Sequence, residues 1–169
     1  MAGEVRLRDV RRDDLAAFFE QQRDPDANDM AAFTPRDPSD HDAFMARWAR
    51  ILGNETGTVQ TILLDGQVAG SVLSYQESES GRCEVSYWVG KEYWGRGVAT
   101  RALAEFLAHV VTERPLYARA AKDNLASLRV LRKCGFAICG EDKGFANARG
   151  HEVEEYILIL SDDARDDEP

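Results

Sequence analysis

The segment Tyr93-Trp94-Gly95-Arg96-Gly97-Val98-Ala99-Thr100 constrains the fold of this chain more than any other. An apolar, strand-like run from Val85 to Val89 precedes it, and a helix-like run from Val98 to Val111 follows. Glycines at such a junction let the backbone turn tightly and leave consecutive N–H groups unpaired. Those donors, with the positive end of the helix dipole, suit a phosphate or pyrophosphate. The segment therefore predicts a strand, a tight turn and a helix that together hold a phosphorylated ligand without a metal.

The flanking sequence supplies the rest of the scaffold. Val5 to Arg8 alternates apolar and charged residues, as a half-buried strand does. Asp13 is placed to cap a helix through Leu15, Phe18 and Phe19 that ends near an Asp24-Pro25 turn. Residues 24–40 read as an irregular loop, with a short helical turn at Asn28 to Phe33. Ser39 and Asp42 resemble a capping box that opens a helix through Phe44, Met45, Trp48 and Ile51, closed by Gly53. Asp65-Gly66 joins the β-rich runs Thr58–Leu64 and Val68–Tyr75, a strong hairpin signal. A turn at Ser78 to Gly81 leads into a third strand, Arg82 to Val89. After the glycine segment come a strand at Leu116 to Ala121 and a helix at Leu125 to Cys134. Phe136–Gly140 and Val153–Leu160 then form a last strand pair around a polar loop. The order βααβββαβαββ is that of an α+β, mixed α/β chain.

Composition excludes several classes. At 169 residues the chain reads as one domain, residues 1–160, with an acidic tail at 161–169 expected to be disordered. A net charge of −9 argues against nucleic acid or an anionic membrane as partner and is compatible with a cationic amine. Cys83, Cys134 and Cys139 lack CxxC spacing, and His41, His109 and His151 form no HExxH, so no metal site is expected. The first residues lack a signal-peptide core. No apolar run nears the roughly 20 residues that span a bilayer. A reduced cytoplasm is the expected location.

Three phosphate-binding readings meet at the glycine segment. GxxxxGK[ST] is absent, which removes a P-loop. Gly95-x-Gly97-x-x-Thr100 lacks the third glycine of a dinucleotide fingerprint and follows antiparallel hairpins instead of opening a βαβ unit. The remaining reading is an acyl-coenzyme A.

Here the chain resembles the GNAT superfamily of acetyl-coenzyme A-dependent N-acetyltransferases. Trp94-Gly95-Arg96-Gly97-Val98-Ala99 is similar to that family's [QR]xxGx[GA] loop, with Trp94 in place of Gln or Arg. Trp at this place is common in the ribosomal-protein N-acetyltransferase branch (RimJ and RimL). Asn124-Leu125-Ala126-Ser127, then Leu131-Arg132-Lys133-Cys134-Gly135-Phe136, resembles that branch's NxxS…LxKxGF, and Tyr87-Trp88-Val89 its YWV strand.

The resemblance implies a central, mostly antiparallel sheet of six to seven strands, splayed in the middle and flanked by about four helices. It also implies acetyl-coenzyme A as co-substrate and direct transfer in a ternary complex. Backbone N–H groups of Gly95, Arg96, Gly97, Val98, Ala99 and Thr100 would cradle the pyrophosphate. Backbone at Trp88, Val89 and Gly90 would pair with the pantetheine arm, Asn124 would hydrogen-bond it and Ser127 would lie beside it. Asn124 equally suits a helix cap, and Ser127 an inert place in the first turn.

Two family residues are missing. Leu131 replaces the tyrosine that meets the leaving sulfur in many relatives, and Arg119 replaces a glutamate that some N-terminal acetyltransferases carry five residues before the asparagine. Glu84 is the best remaining base, on one strand face with Ser86 and Trp88, although it could also be an exposed strand residue. Glu77 or Asp29 could serve instead. Ser127 or a water could relay a proton.

The acceptor side would draw on Phe33, Phe44, Trp48, Asp24, Asp26, Asp29, Phe145, Asn147 and Arg149, unless the aromatics are core. Such a mix suits a peptide N-terminus or a small amine. A catalytically silent coenzyme A-binding module is the other reading, and a homodimer is possible.

Overall fold

A computed structural model describes residues 3–161; the expected tail lies, from residue 162 on, outside the described residues. The first strand, β1 (Val5–Asp9), is followed by three helices, α1 (Asp14–Gln22), α2 (Pro25–Ala31) and α3 (His41–Gly53). Strands β2 (Thr58–Leu64), β3 (Gln67–Gln76) and β4 (Cys83–Val89) come next, then a 3₁₀ turn at Lys91–Tyr93 and α4 (Val98–His109). The chain continues through β5 (Leu116–Ala121), α5 (Leu125–Lys133), β6 (Ala137–Ala146) and β7 (His151–Leu160). All seven strands join one sheet in the order β1-β2-β3-β4-β5-β7-β6. This is the mixed α/β architecture expected from the sequence.

Every strand pair is antiparallel except β4–β5, which runs parallel and is bridged at one register position, Glu84 opposite Tyr117. Beyond Glu84 the two strands part, so the sheet is splayed at its centre. β3 stays close to β4 through this region because Gly70 faces the carbonyl of Trp88. A Cβ at position 70 would lie 1.9 Å from that oxygen, so no side chain fits there.

Alternation divides the sheet into two faces. Ile62, Val72, Val85, Leu116 and Leu158 face one way and pack on Leu103 and Phe106 of α4 and Leu128 and Leu131 of α5. Burying a side chain such as Phe106 completely contributes about 1.5–3 kcal/mol. On the opposite face, Leu15 and Phe18 of α1 pack with Phe44 and Trp48 of α3. The Phe18 and Trp48 rings stack there with centroids 4.9 Å apart.

The helical connection between β1 and β2 departs from expectation. Residues 24–40, read as an irregular loop, contain α2. Asp24 accepts a hydrogen bond from the Ala27 amide at 2.9 Å, and Pro25 takes the first helical position. Asp-Pro is therefore a helix start here, since proline lacks only an N–H that a first turn leaves unpaired. The cap of α3 is Asp40, which accepts from the Ala43 amide, while Ser39 hydrogen-bonds Asp37 instead. Asp13 caps nothing. Its neighbour Asp14 is buried and accepts from Arg8 (2.7 Å), the Arg11 amide (2.8 Å) and the Thr61 hydroxyl (2.7 Å). Burial works to raise its pKa, but these partners outweigh it and hold the carboxyl down to about 2. At the far edge, the β6–β7 hairpin extends to Ala146 and His151, so most of the expected polar loop is strand.

Candidate active site

Two cavities meet where β4 and β5 part. The first, about 450 Å³, runs along the glycine segment, the start of α5 and the end of β4. The second, about 400 Å³, lies on the α1 and α3 side of the sheet. Ala31, Tyr87, Trp88, Asn124 and Ser127 line both, so these residues form the wall between them.

The first cavity is a main-chain construction. Gly95 and Gly97 have φ of 78° and 73°, the left-handed region that favours glycine. Gly97 opens α4 without a side-chain cap, and the first backbone bond of the helix is from the Arg101 amide to the Gly97 carbonyl. The amides of Val98, Ala99 and Thr100 precede that bond, so they are the unpaired donors of the first turn. Arg101, which the sequence reading passed over, donates to the carbonyls of Arg96 (3.1 Å) and Gly97 (3.4 Å) and so fixes the loop's orientation. Trp94 gives its departure from the family pattern a purpose. Its indole Nε1–H donates to the Val89 carbonyl at 2.9 Å and ties the loop to the end of β4. That carbonyl, expected to be open to a ligand, is thus already engaged. Gly90 likewise donates its N–H to the Ala69 carbonyl.

At the shared wall, the Asn124 oxygen accepts from the Ser127 amide at 3.2 Å, which makes Asn124 the cap of α5. Its NH₂ group is the part left to reach a ligand. The Ser127 hydroxyl lies 2.7 Å from the Tyr87 hydroxyl. Burial pushes Tyr87 up to about 12, against the smaller pull of its bond to Ser127. Tyr87 was missed from the sequence, where it was only one letter of the YWV string.

The second cavity is a side-chain construction. Glu84 is buried, contrary to the alternative of an exposed strand residue, and shares its wall with Ser86 and Trp88. The Tyr75 hydroxyl donates to one Glu84 oxygen at 3.4 Å, and Arg119 Nε donates to the other at 3.4 Å. Arg119 also reaches Asp142 at 3.2 Å and Glu155 at 3.7 Å, so one guanidinium gathers three carboxylates. Burial tends to lower the pKa of Arg119, but the carboxylates overcome this and raise it. Burial, reinforced by Asp142 and Glu84, raises the pKa of Glu155 against the pull of Arg119. Burial and the adjacent Glu84 push Tyr75 up to about 12. Glu155 also escaped the sequence reading; inside a polar-rich strand, nothing distinguishes it from its exposed neighbours Glu152 and Glu154.

Phe33, Phe44 and Trp48 line this cavity as expected, the last two also being core. The other acceptor-side candidates do not line it. Asp24 caps α2, Asp26 pairs with Lys91, and Arg149 bridges Asp29 and Asp123. Asn147 holds the Thr34 carbonyl from the far side, and Phe145 is exposed. Of these side chains, only that of Asn147 hydrogen-bonds a described residue of the cavity wall, Thr34. Glu77 is tied up by the amides of its own turn, Glu79 and Ser80. Among the described residues no cluster of His, Cys, Asp or Glu is arranged to hold a metal ion, and no helix is long and apolar enough to cross a membrane.

Comparison with known proteins adds to this geometry. The acetyltransferase (GNAT) domain model matches residues 4–137. "Putative ribosomal N-acetyltransferase YdaF" of Bacillus subtilis (strain 168) is 26% identical over 137 residues, 75% of each chain. Mycobacterium smegmatis RimJ, solved in complex with CoA-disulfide, superposes with a TM-score of 0.75 at 23% identity, covering 96% of this chain and 84% of that one. Spermidine N-acetyltransferase from Vibrio cholerae, solved with CoA and spermine, gives 0.73 at 15% identity over 92% of this chain and 95% of that one. The two structures share the fold, and the YdaF relative agrees with the branch whose strings the sequence resembles. With its strand–glycine–helix junction, splayed sheet and most of its length matched, the chain belongs to the acetyltransferase (GNAT) domain family and is an acyltransferase.

Proposed function

We propose that residues 1–160 form an N-acetyltransferase that moves an acetyl group from acetyl-coenzyme A directly to a primary amine, in a ternary complex. The observation that carries this reading is the pair of cavities meeting at one thin wall. One offers unpaired amides suited to a pyrophosphate, and the other offers carboxylates suited to an ammonium group. Fold relatives solved with CoA-disulfide, and with CoA and spermine, support it.

In this reading the amides from Gly95 to Thr100 hold the pyrophosphate. The end of β4, Trp88 to Gly90, borders the pantetheine arm, and the Asn124 NH₂ donates to it. Positioning supplies much of the rate, because a thioester is already activated. Glu84 takes the ammonium proton, either directly or through water, as part of the acidic group gathered by Arg119. The amine nitrogen then bonds to the acetyl carbon; as the tetrahedral adduct collapses, the C–S bond breaks, a thiolate leaves and the nitrogen gives up its second proton to solvent.

Magnitudes limit what Tyr87 and Ser127 can do for that thiolate. A thiol ionises near 8.5, so transfer of a proton from a tyrosine at about 12 is uphill by roughly 5 kcal/mol. The Tyr87–Ser127 pair therefore orients the sulfur and hydrogen-bonds it, and the proton that finally neutralises the thiolate comes from solvent. This assignment gives Ser127 a positioning role and supplies a hydroxyl where the family tyrosine is replaced by Leu131.

Incubation with acetyl-coenzyme A and a panel of amines, read as free thiol release, tests the proposal. Turnover on at least one amine is the expected result. Saturable coenzyme binding without turnover on any peptide N-terminus, amino acid, polyamine or aminoglycoside would favour the silent binding module.

A further inference from the structure

The acceptor cavity has a cation that the acetyl-transfer chemistry does not use. Arg47, on α3, lines the cavity together with Glu84 and Glu155 and also borders a neighbouring groove beside Ile51 and Asn54. Of the two cations in the cavity wall, Arg119 is satisfied by three carboxylates. Arg47 makes no ion pair among the described residues. The residue as a whole is exposed, yet its guanidinium is crowded enough that burial lowers its pKa, and nearby Arg50 adds to the effect. A guanidinium in a cavity wall without a counter-ion is a ready partner for a carboxylate, which it can grip with two parallel hydrogen bonds.

Resting on the acetyltransferase reading, we propose that the acceptor is an amine carrying a carboxylate, a free amino acid or a close analogue. Its ammonium group faces Glu84 and Glu155, and its carboxylate faces Arg47. Tyr75 lies in the same wall: its hydroxyl donates to Glu84, and it lines the cavity together with Arg47. A cavity of about 400 Å³ is at the small end of the roughly 300–1,000 Å³ found for ligand sites, which suits a single amino acid. Phe18, Phe33 and Trp48 in its wall favour an apolar side chain. Gln21 and Thr34, both in this wall and more than nine-tenths buried, each have a side-chain oxygen without a protein partner, which leaves the wall with polar capacity unspent. The same cation opposes a polyamine or aminoglycoside, whose second positive charge would meet Arg47.

The test compares kcat/KM for leucine, methionine and phenylalanine with that for their amides and for spermidine. The expected preference for the free carboxylate is at least about tenfold, expressed mainly in KM. In Arg47→Gln the acid-to-amide ratio falls close to one, and Arg47→Lys recovers part of it. Equal rates on acids and amides, a preference for spermidine, or an unchanged ratio in Arg47→Gln would overturn the inference and leave the acetyltransferase standing. Failure of every amine would remove both.

Discussion

The two cavities are built by opposite means. The glycine-lined cavity uses the main chain of one contiguous segment, Gly95 to Thr100, where glycines at positive φ aim the amides. The proposed acceptor cavity offers side chains from α1, α3, β3, β4, β5 and β7, with carboxylates gathered around Arg119. Main-chain recognition tolerates almost any side chain except where the backbone needs glycine, so one short segment serves many family members. Side-chain recognition can change residue by residue, and it is there that members of one fold can diverge in substrate.

The difference can be tested from the strongest effect down. Glu84→Gln should reduce kcat/KM for the acceptor by roughly 10²–10⁴, the usual range for a general base, with little change in the KM of the donor. Glu155, whose pKa burial raises, loses its charge as pH falls, starting above the ordinary carboxylate range. In the unsubstituted protein acceptor KM should therefore rise as pH falls, because the ionised Glu155 faces the ammonium group. An unchanged rate and pH profile in Glu84→Gln would move the base to Glu155.

Gly97→Val tests the opposite side. With φ at 73° and only Arg101 Nε near a new Cβ, at 3.9 Å, the effect comes from the backbone and not from a clash. Stability should fall by about 1–3 kcal/mol, and donor KM should rise at least tenfold while the acceptor KM stays put. If both Michaelis constants rise together, the two cavities are not independent.

The smallest effect separates scaffold from site. Asp14 ionises at about 2 in the folded protein against an ordinary 3.8, which corresponds to about 2 kcal/mol of stability at neutral pH. A depressed carboxyl contributes fully above its unfolded pKa, so this stability is lost as pH falls from 3.8 towards 2. Asp14→Asn should therefore lower the melting temperature at pH 7, lose that effect near pH 2, and alter neither Michaelis constant.

What was legible in the sequence follows the same division. Strands β2 and β5 have the bounds expected, because turn chemistry at Asp65-Gly66 and the break at Arg114-Pro115 delimit them. The loop at the start of α4 is visible because positive φ requires glycine. The helix α2 was obscured because Asp-Pro signals both a turn and a helix start. Tyr87 was visible only as one letter of the YWV string, and Glu155 and Arg47 carried no local signal. Tyr87 matters because Ser127, 40 positions away, meets it, and Glu155 because Arg119 reaches it across the β5–β7 pairing. Their roles exist only in the folded arrangement.

The parting of β4 and β5 has one more consequence. Two strands that separate within a sheet leave backbone edges with hydrogen-bonding groups unspent, and such edges ordinarily invite strand addition from other chains. Here they face inward, with α2 and α5 packed against β5. In the proposed function this opening takes a slender chain with amides along its length, where a neighbouring polypeptide would need room for its side chains. An edge that would otherwise be an aggregation hazard would then serve as a sieve, open to threads and closed to strands.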